Sequence, residues 1–296
     1  MTVVAGHDGS DCGDDAVALG AQLARATGED LLVVSVYPQE NPIGPGRVDA
    51  EWVAYMREQA EEGLAGVRRT FGDDGVAYRA VGSESAAHGL DDVAEAEGAS
   101  LIAVGSSRRG ARRRISPGST GERLLHGASC PVAVAPRGHR DRSGASLERI
   151  GVGFLDTTEG REAARVAGSL AERMGAAVIL YTVIAPRAEV FSPIIGWDAE
   201  QAFLATVRED ARDAQARMAD TLTVPVSCEL LEGEAIDALA ALDEREVDLL
   251  VCGSRGYGPL RRVLLGGVLR HLIRRAACPV VVVPRHSAES SHHQAG

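Results

Sequence analysis

The chain is written twice. Gly105 recurs as Gly253, Gly118 as Gly266, Cys130-Pro131 as Cys278-Pro279 and Pro136-Arg137 as Pro284-Arg285, all at one offset of 148 residues. Asp8 pairs with Asp156 at the same offset. The apolar runs LLVVSV, ending at Val36, and AVILYTV, ending at Val183, stand one residue out of step, as a deletion after Asp156 and a later insertion would leave them. A constant offset across several motifs implies duplication rather than coincidence. The fold must therefore be one that half a chain can form and that two copies can join.

Each half alternates short apolar runs with longer segments of helical spacing. The runs fall near 2–6, 31–36, 76–81, 101–105 and 131–135, then near 149–154, 177–183, 225–231, 248–253 and 279–283. They are rich in valine and leucine without clean alternation, which predicts strands covered on both faces. Segments such as DDAVALGAQLARA and EGREAARVAGSLAERM carry apolar residues at helical spacing between them. Strand and helix in alternation predict an α/β protein: two tandem, doubly wound, five-stranded parallel-sheet domains of Rossmann-like type. The expected division is 1–137, a polar linker 138–146, 147–285 and a disordered tail 286–296.

The segment GSRGYGPLRRVLLGG, from Gly253, follows the apolar strand VDLLVCG; GSSRRGARRRISPGST, from Gly105, follows ASLIAVG. Glycine-rich loops leading into a helix let backbone amides converge on an anion, because no side chain holds a phosphate away. In open parallel sheets ligands bind beyond the carboxyl ends of the strands where the strand order reverses. The loops after the first and fourth strands meet there, and they carry Asp8 and Gly105 in one half, Asp156 and Gly253 in the other.

Composition narrows the chemistry. All 31 basic residues are arginine, so a P-loop lysine and a Schiff-base lysine are excluded. The net charge of −11 repels nucleic acid and anionic membranes. No apolar run approaches the roughly 20 residues that span a bilayer, and MTVVAGHDGS lacks a basic n-region, so a cytoplasmic location is expected. Five cysteines form no C-x-x-C pair; Cys130 and Cys278, before the last strand of each half, read as small buried residues. Neither a G-x-S-x-G elbow nor a complete G-x-G-x-x-G fingerprint is present, and the histidines show no metal-ligand spacing. His7 beside Asp8 is not a dyad, since neighbours at a strand end point to opposite faces. Trp52 and Trp197, each after a Pro/Gly-rich loop, read as packing or interface residues.

These residues resemble the universal stress protein family in its tandem two-domain form. The likeness rests on VVAGHDGS, on the spacing glycine, two residues, glycine, nine residues, glycine from Gly253, and on the terminal strands CPVAVAP and CPVVVVP. It covers nearly the whole chain except linker and tail. The resemblance implies an adenine nucleotide alpha hydrolase-like fold whose halves pack as a pseudo-dimer through their last strands. It implies ATP, with Mg²⁺ accompanying it, as a regulatory ligand. Asp8 and Asp156 would take the adenosine end, and Val36 and Val183 would pack against adenine. Gly105, Gly118, Ser119 and Thr120 in the first half, and Gly253, Arg255, Gly256, Gly266, Gly267 and Val268 in the second, would surround the phosphates.

Each copy departs from that pattern. Arg108 replaces the second loop glycine of the first half, whose GST at 118–120 is intact. The second half keeps both loop glycines, but Gly267 stands where serine or threonine is usual, and it ranks as the more complete site. Arg108, Arg109, Arg112, Arg113 and Arg114 form either a substitute phosphate clamp or a solvated face. The expected function is nucleotide-regulated stress response through a protein partner, with homodimerisation of whole chains open. The alternatives are a scaffold that binds no nucleotide and a slow ATP hydrolase on the same fold. No catalytic or metal-binding residue is assigned.

Overall fold

The computed structural model describes residues 1–39, 50–107, 114–142, 144–184, 197–243, 245–254 and 267–284. In the first half β1 (Thr2–Gly6), α1 (Asp11–Thr27), β2 (Asp30–Pro38), α2 (Ala50–Phe71), β3 (Val76–Ser83), α3 (Ala86–Ala96), β4 (Leu101–Gly105), α4 (Ser119–Gly127) and β5 (Val132–Ala135) follow one another. The second half repeats them as β6 (Arg149–Gly153), α5 (Thr158–Met174), β7 (Ala177–Ile184), α6 (Trp197–Ala219), β8 (Val226–Glu232), α7 (Ala235–Ala241), β9 (Leu249–Gly253), α8 (Gly267–Arg275) and β10 (Val280–Val283). Every expected strand is present to within two residues at either end.

All ten strands form one sheet, in the order β3-β2-β1-β4-β5-β10-β9-β6-β7-β8. Within each half the pairing is parallel, and the order reverses between β1 and β4 and between β6 and β9. The halves join through their last strands, antiparallel, with Val280 opposite Val134 and Val282 opposite Val132. The pseudo-dimer is thus continuous backbone pairing. Joining the halves there covers two strands with no charged residue, VAVA and VVVV, which would otherwise be exposed sheet edges.

Helices cover both faces. On one, Leu19 of α1, Val67 of α2, Ala163 of α5 and Met218 of α6 pack with Val3, Ile150 and Val281. On the other, Leu90 of α3, Leu125 of α4, Leu239 of α7 and Leu272 of α8 pack with Val4, Ile102 and Val282. The outermost strands depart from the expectation of double coverage: β3 and β8 alternate or remain partly exposed, because they lie at the two ends of the sheet.

The linker is packed rather than loose. A 3-10 turn at His139–Arg142 lies on α1. The buried carboxylate of Asp15 accepts from the amides of Gly138 and Arg140 at 2.8 and 3.0 Å. Gln22 faces the His139 imidazole at 2.9 Å and donates to the Ala145 carbonyl at 2.6 Å. The tail 286–296 lies outside the described residues.

Candidate functional site

At the carboxyl ends of β1 and β4 the chain opens a cleft of about 430 Å³, lined by Asp8, Val34, Val36, Ala86, Gly105, Ser106 and the 118–121 turn, among others. This size is ordinary for a small-molecule site. The cleft brings together Asp8, Val36, Gly105, Gly118, Ser119 and Thr120, six of the seven residues expected in the first half. The seventh, Arg108, lies outside the described residues, as do Arg109, Arg112 and Arg113 of the cluster.

One wall is the turn from β1 into α1. His7 extends the ladder, its amide donating to the Val34 carbonyl at 2.9 Å. Ser10 caps α1, its hydroxyl accepting from the Gly13 amide, and it also donates to Asp8 Oδ1 at 2.5 Å. His7 is buried and holds this turn. The Gly9 amide donates to its Nδ1 at 3.3 Å, so the proton sits on Nε2, which reaches Asp14 Oδ1 at 3.2 Å. Its partner is therefore Asp14 and not Asp8. Burial, with the carboxylates of Asp15, Asp8 and Asp11, raises the Cys12 thiol above its ordinary pKa despite the opposing charge of Arg137, so it is no thiolate nucleophile.

The facing wall is the segment from β4 to α4. Gly105 has a packing reason that a phosphate role does not require: a Cβ there would stand 1.8 Å from the Cys12 carbonyl oxygen. Ser106 then pins the loop. Its buried hydroxyl donates to the Ala135 carbonyl at 2.7 Å and accepts from the Ser116 amide at 3.3 Å, and Ser106 bridges to Pro117. The pinned loop delivers Gly118 back beside Gly105. Gly118 is the N-cap of α4 and offers no side chain to its first-turn amides. Those amides have no intrahelical acceptor and sit at the positive end of the helix dipole. Space at Gly118 is open, the nearest atom to a built Cβ being Ser107 Cβ at 3.8 Å. Free amides, two hydroxyls and an uncrowded glycine fit an anionic group. Asp8 Oδ2 carries no bond among the described residues and suits a hydroxyl donor, while Val34, Val36 and Leu90 offer an apolar slot.

Ser106, Val34 and the α3 residues Ala86 and Leu90 were not singled out by sequence. The capping serine Ser85 and the i, i+4 spacing of Ala86 and Leu90 are the signal that could have found the α3 wall.

The second half repeats the scaffold with one change of register. The Phe154 amide donates to the Tyr181 carbonyl at 2.8 Å, as His7 does to Val34, and Thr157 caps α5 through the Gly160 amide as Ser10 caps α1. Gly253 packs under the Glu159 carbonyl as Gly105 does under that of Cys12. The frame around the first strand thus repeats at 147, so Leu155, not Asp156, stands where Asp8 stands. The pairing of Asp8 with Asp156 at 148 is corrected accordingly. Asp156 instead occupies the Gly9 position, where Arg161 Nε at 2.6 Å and Arg217 Nη2 at 3.4 Å hold it. Arg161 first, then Arg217, keep its carboxyl below the usual range. Val183 lies in β7, and Gly267 and Val268 open α8. Arg255, Gly256 and Gly266 lie outside the described residues. Among the described residues no group of three His, Cys, Asp or Glu side chains is placed to hold a metal.

Two five-stranded, doubly wound parallel halves, fused through their last strands and with a crevice at a switch point, define a tandem Rossmann-like α/β protein. The model of the Universal stress protein family matches residues 1–136 and again 146–284. The chain belongs to the universal stress protein family. A universal stress protein of Mycobacterium tuberculosis is 30% identical over 295 residues, covering 96% of this chain and 100% of the relative. One of Methanocaldococcus jannaschii is 32% identical over 130 residues, 43% of this chain and 76% of its own. The crystal structure of a universal stress protein from Archaeoglobus fulgidus aligns with TM-score 0.67 at 22% identity, over 96% of this chain and 98% of that one. No helix among the described residues is long and apolar enough to cross a membrane.

Proposed function

We propose that this protein binds an adenine nucleotide, ATP with its Mg²⁺, and acts as a regulatory stress-response factor whose contacts with a protein partner depend on occupancy. The observation that carries the reading is the uncapped start of α4 facing Asp8 across the cleft. A triphosphate would lie on the amides of residues 119–121 with the Ser119 and Thr120 hydroxyls beside it. Asp8 would accept from ribose hydroxyls, and the base would lie between Val36 and Leu90. Asp8 is the one carboxylate among the described residues that line the cleft, so Mg²⁺ would be held by the phosphates, water and hydroxyls. The cation supplies charge neutralisation, and no hydrolytic step is assigned to the protein.

Nucleotide released from freshly purified protein and identified by chromatography, followed by ATP titration with Mg²⁺, tests the reading. An adenine nucleotide released in fixed ratio to the chain is expected. Neither released nucleotide nor saturable binding of added ATP would overturn it.

A further inference from the structure

We infer that each chain carries one nucleotide site, in its N-terminal half, because the C-terminal half has Leu155 at the Asp8 position and holds its neighbour Asp156 away from it through Arg161 and Arg217. The inference rests on the nucleotide reading above and says where that site is.

The carboxylate is the first difference. In the N-terminal half Asp8 bonds only its neighbour Ser10 through Oδ1, leaving Oδ2 for a ligand. In the C-terminal half the same register position is Leu155, whose alkyl side chain accepts nothing. The displaced Asp156 is bound from two helices, by Arg161 of α5 and Arg217 of α6. Asp156 is thus committed to charge-assisted bonds, which are about twice as strong as neutral ones, and does not stand in for the missing carboxylate.

The phosphate end differs as well. Ser119 and Thr120 give α4 two hydroxyls in its first turn, whereas α8 begins Gly267-Val268 and offers none. The turn before the helix differs too: buried Phe154 takes the place of His7, so the imidazole that fastens the first-half turn to Asp14 has no counterpart. Four positions, in two separate segments, thus carry no polar side chain where the first half has one. Duplication therefore ended in division of labour, one half keeping the crevice chemistry and the other the scaffold.

Calorimetric titration of the full chain with MgATP reads this directly, using wild type and two variants that block the N-terminal cleft differently. Gly118→Asp sets a carboxylate among the α4 amides, and Ala86→Trp fills the apolar slot. One equivalent per chain in wild type, and none in either variant, is expected. Two equivalents in wild type, or one equivalent surviving in both folded variants, would overturn the inference while leaving nucleotide binding intact. No binding by wild type would overturn the nucleotide reading itself, and this inference with it.

Discussion

His139 is the sharpest test of how the linker is held. Its Nε2–H faces Gln22 Oε1, an orientation imposed because Gln22 spends its amide protons on the Ala145 carbonyl. The other nitrogen, Nδ1, is buried with no hydrogen-bond partner among the described residues. Protonation would place a second N–H where nothing accepts it. Burial first, and then the charge of Arg142, lower the His139 pKa from 6.5 to about 4. The sign follows from proton linkage. The unfolded chain takes up this proton as pH falls through 6.5 and the folded chain does not until about 4, so stability is lost on acidification across that window. At about 1.4 kcal/mol per pKa unit, the loss is about 2 kcal/mol by pH 5 and saturates near 3 kcal/mol below pH 4. If undocking the linker costs less than that, residues 138–146 release locally first.

The assay is urea unfolding of wild type and His139→Gln at half-unit steps from pH 7.5 to 4.5, with hydrogen exchange across 138–146 on the same samples. Wild type should lose stability relative to the variant below pH 6.5, or lose protection in that segment. Other groups titrate alike in both proteins and cancel in the difference. Parallel curves with unchanged protection would refute the assignment of a buried, neutral imidazole.

Three further outcomes follow from the packing. Gly105→Ala should destabilise the protein by about 3 kcal/mol or more, since its Cβ would strike the Cys12 carbonyl and the clash is with backbone. Gly127→Ala in α4, with nothing within 4 Å, should change stability by no more than about 1 kcal/mol; thermal melts of both compare them. Gly118→Asp should leave stability equal or raise it by up to about 1 kcal/mol, because aspartate caps a helix well, while nucleotide binding is lost. A fall in both would mean a folding defect rather than a blocked cradle. Burial pushes the thiols of Cys130, Cys252 and Cys278 up to about 12, so at pH 8 the exposed Cys228 should be alkylated first in the native protein, as peptide mapping would show.

Much of the architecture was legible because it depends on local rules. Uncharged valine-rich runs can only be strands with neighbours. A glycine after an apolar strand marks a close approach. The first-half cleft was legible for the same reason, since the Asp8, Gly105 and Gly118 loops all end at the switch point. The site's walls were less so. Val34, Ala86 and Leu90 belong to elements that meet the loops only through packing, and Ser106 acts by bonding a strand end 29 residues away.

What the sequence alone determined is the duplication, the α/β class and the group of residues that converge in the first half, because repeats, periodicity and loop motifs are properties of the chain itself. What only the tertiary structure decided is which residues of the two halves are equivalent. Two aspartates 148 residues apart look like partners on paper, yet equivalence is set by which amide reaches which carbonyl across the sheet. That ladder runs at 147 there. The single residue of difference moves Asp156 out of the crevice position and into the grip of two arginines.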